Sequence, residues 1–270
     1  MISRSDAEGW SLAQLRDSLG RRGVNSIFLN FPSLVAKVVC HPVVHAGDVN
    51  VTDILAALLV RSVGHGSLEE IIFRMDLLQK LEREQVYVVN PAKAIERCVD
   101  KYYALTLLEE NRLPVPRTIV TESVEAAVEG FHALGQDVVL KPIFGARGVG
   151  LTRISDPAIA ERIFNTIRFH HGVLYLQEYI SHGDSDIRAF VVGEHIIAAM
   201  RRVSDSWKTN ISQGAEPTAV HLSNELETLA IRSAEAINCK IAGVDILESA
   251  EGPLVIEINS QPGWMGLQSV

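Results

Sequence analysis

Two strand-like runs close the chain, Ile241-Ala-Gly-Val-Asp-Ile-Leu247 and Pro253-Leu-Val-Ile-Glu-Ile-Asn259, and the polar residues inside them constrain it most. Side chains alternate between faces along an extended strand. Strict alternation puts Glu257 and Asn259 on one face with Val255, and Leu254, Ile256 and Ile258 on the other. Paired as a hairpin, the two runs bring Asp245 to the Glu257 face. Carboxylates gathered on a half-buried sheet need a cation, because unpaired buried charge is expensive. One or two carboxylates with an amide are hard oxygen donors suited to magnesium, usually shared with substrate phosphates. The alternative is a solvated hairpin face with unrelated acids, and the rest of the chain decides between them.

With 270 residues, 47% hydrophobic and 21% charged, the chain can bury a sizeable core and divide into roughly two domains. A net charge of −8 argues against broad binding to nucleic acid or anionic membrane, though not against a local basic pocket. Cys40, Cys98 and Cys239 are far apart in sequence and form no CxxC pair, which fits isolated reduced thiols better than a disulfide framework or zinc site. No apolar run approaches the ~20 residues that span a bilayer, and Met1 to Trp10 lacks the apolar core of a signal peptide. The expected compartment is the cytoplasm.

Residues 1–95 read as an α/β domain: a helix over 11–22, a buried strand over Val24–Asn30, another within Asp53–Val60, a helix from Ser67 to about Glu84, and a strand over Val86–Val89. Ser67 with Glu70 is a capping-box signature. Alternating strands and helices predict a small parallel sheet with substrate loops at the strand ends. Residues 96–180 continue with a helix at Lys101–Asn111, a strand at Arg117–Thr121, a helix at Ser123–Leu134 and a strand at Asp137–Lys141. A glycine loop, a strand at Leu151–Ile154, a helix over 156–170 and a strand at Val173–Tyr179 complete that unit. Residues 181–270 hold strands Asp186–Val192 and His195–Val203, a helix over 223–238 and the closing hairpin.

The loop carrying Gly145, Gly148 and Gly150 joins two expected strands, not a strand and a helix. That excludes a Walker A loop, which needs Gly-Lys-Ser/Thr before a helix. It also excludes a dinucleotide fingerprint, whose pyrophosphate sits at a helix N-terminus. A glycine hairpin can fold over a nucleotide and offer backbone N–H groups to phosphates, because glycine permits close approach and positive φ. A tight turn with no ligand is the plainer reading of the glycines alone. Lys141 shifts that balance, since it follows apolar Val138-Val-Leu140 and emerges beside whatever the loop covers. Lys101, opening a helix after Asp100, is a second phosphate candidate. Two lysines, a glycine hairpin and the downstream carboxylates together match a nucleoside triphosphate with magnesium.

Leu174-Tyr-Leu-Gln-Glu-Tyr-Ile180 offers an apolar strand edge for adenine or is an ordinary sheet strand, and Asp184 or Asp186 could accept from ribose hydroxyls. Arg188 shares a face with Asp186, Arg202 ends the partner run, and Lys208 and Asn210 lie in a polar turn. Guanidinium groups suit carboxylate or phosphate oxygens. In an acidic chain this cluster points to an anionic substrate; scattered surface cations are the alternative.

In this order Asp100-Lys101, Val138-Val-Leu-Lys-Pro-Ile-Phe-Gly-Ala-Arg-Gly-Val-Gly150, Gln177-Glu-Tyr-Ile180, Asp186-Ile-Arg188, Lys208-Thr-Asn210, Asp245 and Glu257-Ile-Asn259 resemble an ATP-grasp ligase of the RimK-like glutamate-ligase group. The resemblance implies an α/β (α+β) ATP-grasp fold behind an N-terminal Rossmann-like pre-ATP-grasp domain. It implies ATP contacts at Lys101, Lys141, Gln177, Glu178 and Asp186, and phosphate or substrate contacts at Arg188, Arg202, Lys208 and Asn210. Asp245, Glu257 and Asn259 become magnesium ligands, with manganese as the alternative ion. Gly66-Ser-Leu-Glu-Glu-Ile-Ile-Phe-Arg-Met-Asp76, Ala94-Ile-Glu-Arg-Cys-Val-Asp-Lys-Tyr-Tyr103 and Arg202-Val-Ser-Asp-Ser-Trp-Lys-Thr-Asn210 are similar to ligases that add α-linked glutamate to tetrahydromethanopterin-type coenzymes.

The implied reaction joins a small acceptor carboxylate, a pterin coenzyme, to L-glutamate. The acceptor attacks the γ-phosphate of ATP, and the amine then attacks the acyl phosphate while Arg188 and Arg202 stabilise it. Neither nucleic acid nor membrane is expected as a partner, and homo-oligomer formation stays open. The alternatives are glutamylation of a protein tail or another small carboxylate, and a nucleotide-binding module without catalysis. The family usually begins with an apolar strand and ends in a closing helix, whereas this chain opens at Ser11–Leu19 and stops at Leu267–Val270. The expectation is therefore a weakened first strand and an incomplete closure over the site.

Overall fold

Three buried apolar clusters organise the chain, each lying under its own sheet or strand pair. The computed structural model describes residues 9–145, 148–211 and 214–269. Helix α1 (Gly9–Gly20) buries no side chain. Strands β1 (Leu34–Ala36), β2 (Val44–Ala46) and β3 (Val49–Asn50) form a small antiparallel meander, followed by the single turn α2 (Val51–Ile54). Strand β4 (Ala57–Leu59) pairs in parallel with β5 (Tyr87–Val89) across helix α3 (Leu68–Arg83). Helix α3 starts at the expected capping box, with Ser67 and Glu70 bonding each other's backbone. Its Leu77, Leu78 and Leu81 fill the first cluster. Helices α4 (Ala92–Val99) and α5 (Lys101–Glu110) follow, with Asp100 capping α5.

The expected strand over Val24–Asn30 is absent. Only Leu29 makes an isolated bridge, while Val24 and Phe28 are exposed. Asn30 stops the run: its side chain accepts from Ser33 N–H (2.9 Å) and starts a 3-10 turn that carries Phe31 into the core. The parallel sheet among the described residues is therefore two strands wide. The β1–β3 meander was not foreseen, because strands of two or three residues carry too few positions for a period to register.

Strands β6 (Thr118–Thr121), β7 (Val138–Lys141), β8 (Thr152–Ile154) and β9 (Leu174–Glu178) form an antiparallel sheet in the order β6-β9-β7-β8. Helices α6 (Val124–Ala133) and α7 (Pro157–Phe169) cover one face, where Phe131 and Phe164 meet Val138, Leu140, Leu174 and Leu176. The period of two then leaves Val139, Lys141 and Gln177 on the opposite face. That face is the one free to take a ligand.

The largest sheet runs β12-β11-β10-β13-β14, all antiparallel, from β10 (Ser185–Val192), β11 (His195–Val203), β12 (Glu216–Ala219), β13 (Ile241–Ser249) and β14 (Gly252–Asn259). Helix α8 (Asn224–Ile237), with α4 and α5, buries its apolar face; Ile187, Ala189, Val191, Val244 and Ile246 are among the residues sealed there. Strands β13 and β14 pair as expected, placing Asp245 opposite Glu257. Strict alternation along β14 fails, however. The register shifts between Asp245 and Ile246, so that Asp245 faces Glu257 but Ile246 faces Val255 and Ile256 is the extra residue. Such a bulge re-aims side chains. Val255 consequently enters the core with Ile258, while Ile256 turns toward the same cleft as Glu257.

Asn90, buried at the end of β5, staples the first cluster to this sheet. Its amide nitrogen donates to the carbonyls of Ile241 (2.7 Å) and Ser260, and its oxygen accepts from the N–H groups of Lys240 (2.6 Å) and Ile241 (2.9 Å). Cys98 and Cys239, distant in sequence, bring their sulfurs to 3.6 Å, so they are free thiols but not isolated ones. No helix among the described residues is long and apolar enough to cross a membrane. Residues 261–268 fold back onto the sheet, burying Leu267 of the single turn α9 (Met265–Gln268) and bringing Gly266 against Met200.

Candidate active site

A cleft lies between the open face of the β6–β9 sheet and the polar face of the β10–β14 sheet. Val139 and Leu151 contribute apolar surface from the hairpin side, and Leu247 and Ile256 from the C-terminal hairpin. Of the expected site residues, Lys101, Lys141, Gly145, Gly148, Gln177, Glu178, Asp186, Arg202, Lys208, Asn210, Asp245 and Glu257 all line it. Arg188, Asn259 and Gly150 do not.

The glycine hairpin is as expected: β7 and β8 pair antiparallel, Val138 opposite Ile154, and the loop between them carries Gly148 and Gly150 at positive φ (+71° and +82°). Ala146 and Arg147 of this motif lie outside the described residues. A Cβ at Gly148 would fall 2.2 Å from Asn210 Oδ1, so the loop presses on the 204–210 turn across the cleft. Lys101 donates to the Gly145 carbonyl (2.7 Å) and holds the loop from the other side.

Lys141 donates to Gln177 Oε1 (2.6 Å), and Gln177 Nε2 donates to Thr118 Oγ1 (3.0 Å). Gln177 therefore spends its amide on orienting the lysine, and a nucleotide contact through that group would compete with these two bonds. Burial lowers the Lys141 pKa to about 8, although Glu257 pulls it back up. Burial also lowers Lys101, opposed by Glu257 and Asp100. Two ammonium groups share the cleft with Glu257, the carboxylate whose charge opposes the lowering of both.

Arginines and acids alternate across three strands. Arg188 lies opposite Asp245 and grips it through Nε to Oδ1 and Nη2 to Oδ2 (2.7 Å). Arg202 lies opposite Asp186 and grips it through Nε to Oδ1 (2.6 Å) and Nη2 to Oδ2, while also reaching Asp245 (3.1 Å). Burial pushes Asp245 up, but Arg188 and Arg202 pull harder and hold it below the usual carboxylate value. For Asp186 burial wins and the pKa is raised despite Arg202. Asp186 thus holds Arg202 through both carboxylate oxygens, and its expected bond to a ribose hydroxyl would compete with that pair. The cations expected to hold phosphate and the acid expected to hold metal neutralise each other here.

Glu178 is also committed elsewhere. It accepts from the Arg117 N–H (2.8 Å) and Arg117 Nε (2.6 Å), because β9 ends beside the residue that precedes β6. Sequence reasoning overlooked Trp207 and Tyr179 as site residues. Both line the cleft, packed edge to face at 6.4 Å, with Arg153 stacked 3.4 Å over Tyr179. The available signal was an aromatic beside each of two assigned polar residues, Glu178 and Lys208.

A triphosphate and magnesium fit the donors present. The crowded lysines supply positive charge, and Glu257 meets no hydrogen bond or ion pair from other described residues. Asn259 follows on the same strand, opposite Gly243. Asp245 can serve a metal only by giving up part of its hold on Arg188 or Arg202. Among the described residues no group of three or more His, Cys, Asp and Glu side chains gathers as a metal site, so the amide of Asn259 would be needed as a donor.

Two antiparallel sheets closing on a lysine-lined nucleotide cleft, with a glycine hairpin over one side and paired carboxylates on the other, define an ATP-grasp ligase. The chain belongs to the RimK-like ATP-grasp family: residues 98–269 match that domain. It is an ATP-dependent, ADP-forming acid–amino-acid ligase. It is 34% identical to the tetrahydromethanopterin:alpha-L-glutamate ligase of Methanococcus maripaludis, over 98% of this chain and 91% of that protein. With the ligase of the same name from Methanocaldococcus jannaschii it shares 37% identity over 81% of this chain and 75% of that one. The fold matches the ATP-grasp ligase PsnB complexed with minimal precursor (TM-score 0.77, 20% identity, 99% of this chain and 92% of that chain). It equally matches a RimK domain ATP-grasp protein from Sphaerobacter thermophilus (TM-score 0.77, 21% identity, 99% and 93%).

Proposed function

We propose that this ligase adds L-glutamate to a small pterin carboxylate of the tetrahydromethanopterin type. The observation that carries the reading is the 98% of the chain over which it resembles a ligase of that name, since this span takes in the acceptor-side residues before the ATP-grasp domain. Lys101, Lys141 and the hairpin amides would hold the triphosphate and offset charge as the γ-phosphoryl group moves to the acceptor carboxylate. Lys208 and Asn210 would close on it from the opposite turn. Arg188 and Arg202 would hold the acyl phosphate and then the oxyanion formed when the glutamate amine attacks, with phosphate leaving. Glu257, Asn259 and Asp245 would hold magnesium, or manganese in its place, which would supply positive charge to the phosphates.

We keep the division into units 1–95, 96–180 and 181–270, with Ala104, Leu108 and Leu113 of the second packing into the core of the third. We place the reaction in the cytoplasm, with self-association compatible with it. Incubation with ATP, magnesium, L-glutamate and tetrahydromethanopterin should release ADP and phosphate and add one glutamyl unit to the pterin, read by mass spectrometry. Release of AMP and pyrophosphate would end the acyl-phosphate mechanism. Glutamate found on a peptide tail instead would transfer the assignment to protein modification. Metal-dependent ATP binding with no ADP over a panel of acceptors would mark a nucleotide module without catalysis.

A further inference from the structure

Arg61, buried just after β4, reaches 201 positions along the chain to donate from Nη2 to the Pro262 carbonyl (2.9 Å). Its guanidinium also stacks over Trp264, 4.3 Å from the ring centroid. Trp264 in turn meets Phe190 edge-on at 6.5 Å, and Phe190 lies two residues from Arg188 on the same strand face. A second route runs through Gly243. A Cβ built there would lie 2.9 Å from Pro262 Cβ and 3.2 Å from Arg188 Cδ, so Pro262 and the stem of Arg188 flank one glycine without spare room.

The loop that supplies Arg61 is itself fixed. Arg74, buried in α3, donates to the carbonyls of Val63 (2.9 Å) and His65 (3.0 Å), and the Val63 N–H reaches Gln261 Oε1 (3.4 Å). None of residues 61–65 and 260–268 lines the nucleotide cleft, and neither does Arg188. The clamp therefore bears on Arg188, and through it on Asp245, from residues outside the cleft lining. In the ligase reading above the acceptor carboxylate meets Arg188, so a residue that holds Arg188 acts on the acceptor side.

We propose that Arg61 is a positioning residue for the acceptor side of the site: by clamping Pro262 and Trp264 it sets the Arg188 guanidinium for the acceptor carboxylate. The proposal rests on the ligase reading above, in which Arg188 touches the acyl group. Arginine suits the task because its planar head stacks on an indole and donates in its own plane at once; an ammonium does one or the other.

The test compares full-length wild type with Arg61→Gln, Arg61→Lys and Trp264→Leu, using ATP, L-glutamate and tetrahydromethanopterin as probes. Arg61→Gln should raise KM for the pterin about tenfold, the size of one lost buried charge-assisted bond, with KM for ATP essentially unchanged. Arg61→Lys should recover part of the loss, and Trp264→Leu should move the same constant in the same direction. A parallel rise in both KM values, or no rise in either, overturns the proposal. If the wild type turns over none of these substrates, the acceptor reading fails by itself, and hydrogen exchange with Mg-ATP affinity decides on the clamp. Faster exchange at 260–264 and around Gly243 in Arg61→Gln, with nucleotide affinity intact, then supports it; unchanged exchange or weakened nucleotide binding overturns it.

Discussion

Arg188 and Asp245 stand opposite each other across the β10–β13 pair, and the arginine takes both carboxylate oxygens. Arg202 reaches the same carboxylate from β11, so Asp245 joins two guanidiniums and is a structural counter-ion as well as a candidate metal donor. Glu257, its neighbour on β14, is half-buried and has no such partners among the described residues. Two acids facing each other in one hairpin thus have separable roles.

Asp245→Asn should destabilise the fold by about 3–5 kcal/mol, because breaking a buried ion pair strands the cations. For a chain of this size that is a melting-temperature drop of roughly 10 °C. Glu257→Gln should leave the melting temperature nearly unchanged and remove ADP release. Thermal unfolding beside a coupled ADP assay separates the two; equal melting temperatures would show that Asp245 does not hold its arginines.

Lys141 sets a pH limit on nucleotide binding. Its pKa in the free protein is lowered by burial to about 8, so the ammonium that would meet phosphate is lost as pH rises through that value. Mg-ATP affinity should fall above pH 8 in wild type, and Lys141→Arg should bind with a flat profile over that range. Glu257→Gln should move the midpoint lower, since the Glu257 charge favours the ammonium. The stability effect has the opposite sign. Between about pH 8 and the ordinary lysine value near 10.4 the unfolded chain binds the proton that the folded one has released, so this group's penalty is largest below pH 8 and is relieved as pH rises. Denaturant titrations at pH 7.5 and 9.5, compared between wild type and Lys141→Met, read that difference; a wild-type curve that does not gain relative to the variant would be against it.

Gly148→Ala should weaken Mg-ADP binding about tenfold, since a side chain at φ +71° costs about 1–2 kcal/mol and its Cβ would collide with Asn210. Calorimetric titration measures this directly. A Gly263→Ala control, at a position where a Cβ meets nothing within 4 Å, should bind as wild type does.

Asn90→Ala removes an amide that serves four backbone groups on β13 and at Ser260. Leaving such groups buried and unpaired should cost about 3 kcal/mol. The loss should appear in chemical denaturation, and Asn90→Asp should restore it only in part, since a carboxylate can accept from Lys240 and Ile241 but donates to neither carbonyl.

Legibility in the sequence followed period and charge. The helices expected from Ser67, Lys101 and Ser123 stand where the sequence put them, and the structure caps them with the side chains of Ser67, Asp100 and Ser123. The glycine hairpin, Lys141 and the Asp245–Glu257 pairing were readable because each follows from an apolar strand with a polar interruption, and Lys101 because it opens a helix after Asp100. The strand expected at Val24–Asn30 was not formed, since an apolar run says nothing about whether a neighbouring strand is there to pair with it. The register along β14 was equally hidden: one extra residue at Ile256 sent Val255 to the core and Ile256 to the cleft, and no alternation rule contains a bulge.

The sequence by itself determined the long helices and strands, the charged inventory of the cleft and the family resemblance, because these depend on local spacing and residue type. Only the tertiary structure decided how those charges are spent. Whether Asp186 meets a sugar or Arg202, whether Gln177 meets a nucleotide or Lys141, and whether Arg61 meets solvent or Trp264 depends on residues 16, 36 and 201 or more positions away. A side chain's chemistry is local, but its partner is fixed by strand register and packing, which only the folded chain sets.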